Sequence, residues 1–102
     1  MKDKGLQISD KNGTAQINFS GKLSVITLEP MMPEVNAAID KFSKFEILIN
    51  DVENLDLAAM QLFISIKRTL DQEQKTGKFT FDLPQKLRVS ITEAQMLSEF
   101  NQ

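Results

Sequence analysis

The chain has 102 residues, 41% of them apolar, with 12 basic against 14 acidic side chains and a net charge of −2. That suits one domain with a modest core, residues 1–102 throughout, and lacks the basic excess of a nucleic-acid binder. Cysteine, histidine, tryptophan and tyrosine are absent, which removes disulfides, thiolate metal sites, cysteine nucleophiles, the usual zinc ligand and the commonest general base.

No run approaches the ~18 uninterrupted apolar residues of a membrane span. The opening MKDKGLQISD has no apolar signal-peptide core, so a cytoplasmic chain without membrane insertion is expected.

The first element reads as a β-hairpin. Leu6 and Ile8 alternate with polar residues, as do Ala15, Ile17 and Phe19, and Asn12-Gly13 between them tolerates the positive φ of a tight turn. Gly21 then breaks the pattern before Leu23.

A first helix follows, with Pro33 in its first turn. Val35, Ala38, Ile39 and Phe42 recur at helical spacing, and Met31 extends the stripe. Phe45, Ile47, Leu48 and Ile49 are too apolar for a half-solvated strand and read as a central one.

The turn "NDVEN" leads to a second helix capped by Asp56, running through Leu70 to about Lys75, with Gly77 as its stop. "KFTFDL" is a strand with Phe79, Phe81 and Leu83 on one side. Pro84 starts a last helix carrying Leu87, Ile91 and Ala94, although Leu87, Val89 and Ile91 also alternate as a strand would.

The order β-β-α-β-α-β-α implies an α/β fold: a mixed sheet of about four strands, parallel across the crossover helices, with helices packed against it. The strands from Phe45 and from Lys78 are expected to be parallel neighbours across the helix that begins after Asp56.

At this point the chain resembles the STAS domain, the fold of bacterial anti-sigma-factor antagonists. It is most similar to the branch that serves phospholipid-transport complexes and chemotaxis-associated clusters. "INFSGKLSV" resembles the family's L-x-G-x-L strand and exit. "FEILINDVENLD" resembles the strand that leads to an aspartate, and "LDLAAMQLFISIKR" its L-D-[ST]-[SAT]-G-L and leucine-rich helix. "LPQKLRVSITEAQML" resembles the closing proline-started helix.

The resemblance implies a non-enzymatic module that binds another protein. The partner would be an anti-sigma factor, a chemotaxis component or a transporter ATPase. It also implies a phosphorylatable hydroxyl directly after the aspartate. Leu57 holds that position, followed by Ala58 and Ala59, so the switch at this helix start is expected to be lost.

The helix after Asp56 carries two apolar stripes. Ala59, Leu62, Phe63, Ile66 and Leu70 form the core face, and Leu57, Met60 and Ile64 a second. Either the second packs against the first helix, or it is a partner surface to which Met32 adds. The candidate partner surface is therefore Leu57, Met60, Ile64 and Met32, with Asp56 as the helix cap.

No cofactor or metal site is expected. Asp51, Glu53 and Asp56 lack the spacing and glycine of a calcium loop, and no P-loop or G-x-G-x-x-G occurs. The alternative class is an enzyme or small-ligand-binding domain working with Asp, Glu, Lys and Ser alone, for which spacing places no carboxylate pair at a common cleft.

Overall fold

The chain opens with the hairpin its sequence spells out. β1 (Leu6–Lys11) and β2 (Thr14–Leu23) pair antiparallel, with Lys11 opposite Thr14. Asn12 and Gly13 connect them at φ 55° and 88°, the two positive angles of a type I′ turn. The computed structural model describes residues 5–87 and Phe100.

β2 continues past Gly21, contrary to the expected break. Gly21 has φ 86°, a conformation that suits a residue without Cβ, and the pairing register shifts on both sides of it. The chain then turns at Ser24 into the short α1 (Val25–Leu28), a 3₁₀ turn (Glu29–Met31) and α2 (Met32–Lys41). Pro33 lies in the first turn of α2 as expected, and Val35, Ala38 and Ile39 form its buried stripe.

β3 (Lys44–Leu55) is longer than its sequence suggested. The stretch read as a turn, Asn50 to Asn54, is still strand. Two register shifts leave extra residues on β3, one of them Asp51 at φ 51°. These bulges bring Leu55 opposite Leu23 of β2. α3 (Leu57–Gln72) and β4 (Thr76–Phe81) complete the described sheet.

The sheet has four strands in the order β1-β2-β3-β4, β2, β3 and β4 being parallel. β3 and β4 are thus parallel neighbours joined through α3, as expected. Rows of buried side chains cross the strands in register: Ile17, Ile47 and Phe79 in one, Phe19, Ile49 and Phe81 in the next.

The helices bury their stripes in the same core. Phe19 and Phe81 meet Phe63 of α3 at ring-centroid distances of 5.0 and 6.2 Å. The opposite face of β3 presents Glu46 and Leu48 to solvent. So β3 is half-solvated after all. A strand can carry Ile47-Leu48-Ile49 and still bury only alternate residues, because Leu48 lies among polar neighbours such as Asn18.

α3 ends at Gln72, before the expected stop. Gln74 takes φ 59°, and the N–H groups of Lys75 and Gln74 donate to the carbonyls of Leu70 and Asp71 (2.8 and 3.1 Å). That is a Schellman closure with glutamine in the left-handed position. Gly77 serves β4 instead. A Cβ there would lie 2.5 Å from Leu70 Cδ1, so its lack of a side chain lets α3 pack close to the sheet. The Lys75 ammonium donates to the Ile39 carbonyl and ties this turn to the end of α2.

After Pro84, residues 85–87 are helical, and Leu87 N–H donates to the Pro84 carbonyl at 3.0 Å. The remainder of the expected last helix, with Ile91 and Ala94, and its strand alternative through Val89 lie outside the described residues. Among the described residues no helix is long and apolar enough to cross a membrane.

Candidate interaction site at two strand exits

β2 and β3 leave the sheet side by side. Leu23 and Leu55 are register partners and both buried. Each is followed by a polar residue and then by the first residue of a helix: Ser24 and Val25 on one strand, Asp56 and Leu57 on the other. Asp56 N–H donates to the Leu23 carbonyl at 3.3 Å, which locks the two exits together. Parallel neighbours are ~4.8 Å apart, so the two helix starts sit next to each other, and α1 lies against α3.

Both starts are capped. Asp56 is extended (φ −102°, ψ 172°), and its Oδ1 accepts from Ala59 N–H at 2.8 Å. This is the expected cap, and its charge suits the positive helix end. Ser24 forms a capping box with Thr27. Its Oγ accepts from Thr27 N–H (3.3 Å), while Thr27 Oγ1 accepts from Ser24 N–H (3.0 Å). The Thr27 hydroxyl also lies 2.7 Å from the Lys22 carbonyl, to which it donates.

The structure corrects the candidate partner surface. Leu57 is exposed, at 55%, but Met60 is fully buried and Ile64 only 8% exposed, both within the core. Met32 is half-buried against that core. The second stripe is thus used for packing, in the same core as α1, whose Leu28 is also buried; no periodicity revealed α1, because it spans four residues.

The exposed apolar residues lie elsewhere. Four large ones are exposed among the described residues: Val25, Ile26, Leu48 and Leu57. Three of these belong to the two helix starts, and Ile26 is 79% exposed. Ala58, beside Leu57, is exposed too. Sequence reasoning missed Val25 and Ile26. The signal available was S-x-x-T after a strand, a capping box with threonine in place of the usual Glu or Gln.

The surrounding side chains are acidic. Glu29, Asp51, Glu53 and Asp56 are all exposed, as is Lys22. Among the described residues no group of three carboxylates could hold a metal ion. Among the described residues, concave regions are open to solvent. One runs along Gln61, Ser65, Arg68 and Gln72 of α3, another over Gln16, Asn18, Glu46 and Leu48 of the open sheet face.

No protein-family model matches the chain, and no curated protein matches it. The class that fold and site define is an α/β domain with a four-stranded mixed sheet, helices packed on it, and an apolar patch where two parallel strands leave the sheet.

Proposed function

We propose that the chain is a non-enzymatic STAS-type protein-interaction module of bacterial regulation, working in the cytoplasm without the phosphorylation switch of its class. The partner is another protein: an anti-sigma factor, a chemotaxis component or the ATPase of a phospholipid transporter. The observation that carries this reading is the half-exposed Leu57, which starts the capped helix beside exposed Val25 and Ile26. Contiguous exposed apolar side chains mark interaction surfaces. A leucine where the resembled family carries its regulatory hydroxyl cannot accept a phosphate, so no charge is switched on at that position. The parallel pairing of β3 with β4 across α3, together with the capping aspartate, supports the same reading.

The test is Leu57→Glu. Tagged wild-type and variant proteins are recovered from the native cell and their bound proteins identified. The wild type should retain a partner that the variant loses at unchanged melting temperature. A variant that folds and keeps the same partner refutes the assignment of the surface. A companion measurement addresses the switch: incubation with ATP and a kinase-like partner should add no phosphate between Leu57 and Met60. Phosphate on Ser65 or Thr69 would show that the switch had moved along the helix.

A further inference from the structure

The patch at the strand exits is not electrically neutral. Segments 20–29 and 50–60 contain four carboxylates, Glu29, Asp51, Glu53 and Asp56, against one lysine, Lys22. All five are exposed. These two segments therefore carry three more negative than positive charges, against a net −2 for the whole chain. Neither Asp51 nor Glu53 engages its side chain in a hydrogen bond or ion pair among the described residues, and Asp56 uses one oxygen to cap α3.

From this we infer that the occupant of the surface is an apolar segment of another protein bordered by lysine or arginine, seated on Val25, Ile26 and Leu57 with its basic residues facing Asp51 and Glu53. The inference rests on the interaction-module reading and adds the chemistry of the partner. A central apolar contact with a charged rim is the ordinary anatomy of a docking surface, and complementary rim charge sets partner choice and association rate. The same charge rejects the competitors. A second copy across a twofold axis would bring like charge against like. An anionic membrane surface and a nucleic acid backbone are repelled for the same reason.

The experiment uses the whole chain and three short synthetic amphipathic helices. They share one leucine face and differ in having lysine, serine or glutamate at its borders. Binding is followed by fluorescence anisotropy of the labelled peptide at low and high salt. The lysine-bordered peptide should bind at least about tenfold more tightly than the glutamate-bordered one, with a preference that shrinks as salt rises.

The double variant Asp51→Asn, Glu53→Lys removes the local charge excess, and asparagine tolerates the left-handed φ of position 51. It should abolish the preference. Ile26→Ser, at a site so exposed that folding is untouched, should weaken all three peptides. Equal binding of the three, preference for glutamate, no binding by any, or co-sedimentation with phosphatidylglycerol vesicles overturns the inference.

A photo-reactive residue at position 26 in native cells separates the two readings. A cross-link to a segment with acidic borders refutes the basic partner and leaves the interaction module standing. A cross-link to a lysine-bordered apolar segment supports both.

Discussion

Leu57 and Met60 stand three residues apart on α3 and belong to one apolar stripe, yet one is 55% exposed and the other fully buried. Helical side chains lean toward the helix N-terminus. The first helical residue therefore projects off the end of the helix layer. Met60 leans back over the first turn, inside the layer, where α1 also approaches α3. One stripe thus does two jobs. Its first residue belongs to the surface and the rest to the core.

The largest expected effect comes from forcing the buried half of the stripe to behave like the exposed one. Met60→Glu puts an unpaired carboxylate among Ala59, Phe63 and the sheet. The penalty of several kcal/mol is a large fraction of the stability of a domain this size. Circular dichroism should show loss of the cooperative thermal transition. A Met60→Glu protein melting like the wild type would mean that the stripe is exposed along its whole length.

Next in size is a test of α1 as a packing element. Leu28, its one buried residue, is 1% exposed. Leu28→Ala should cost about 2–5 kcal/mol in denaturant unfolding. A cost below about 0.5 kcal/mol, the level of an ordinary surface change, would detach α1 from the core.

How much of this was legible follows from the range over which each signal acts. Asn12-Gly13 named its own turn because the needed backbone angles are local to two residues. Val35, Ala38 and Ile39 repeat through enough turns to declare a face. α1 has a single turn, too short for any period to show. Gly21 and Asp51 looked like breaks because a bulge uses turn-prone residues while the neighbouring strand keeps the pairing. Gln74 closes α3 by tertiary context against its own preference, so Gly77 drew attention that belonged three residues earlier. The site suffered in the same way. Asp56 as a cap was readable from sequence, whereas the partner of Leu57 on the surface was not, since Val25 and Ile26 reach it through the register of two strands.

A smaller effect distinguishes the two caps. Asp56→Ala removes the acceptor of Ala59 N–H at the start of a helix of 16 residues, and should cost about 1 kcal/mol. Ser24→Ala removes the cap of a helix of four residues whose Thr27 hydroxyl still holds the Lys22 carbonyl. It should cost less, about 0.5 kcal/mol, the low end of measured capping effects. Equal losses would mean that the two exits are equally stressed and that helix length is irrelevant to what a cap contributes.

The smallest expected effect on stability is at Leu57 itself. Leu57→Glu forfeits the contacts of a side chain that is less than half buried, a loss of well under the ~1.5–3 kcal/mol of full burial. In return the new carboxylate stands in the first turn of α3, where the helix dipole favours negative charge by about 0.3–1 kcal/mol. Asp56 next to it opposes that gain by like-charge repulsion through water, which salt screens. The contributions offset one another to within about 0.5 kcal/mol, so the melting temperature should stay close to that of the wild type. Chemical denaturation at moderate salt, where both charge effects are screened, reads the packing loss directly. A loss of more than about 2 kcal/mol would place Leu57 with Met60 in the core, by the scale of buried-leucine truncations. The helix start would then be a packing contact, and the division of the stripe would disappear.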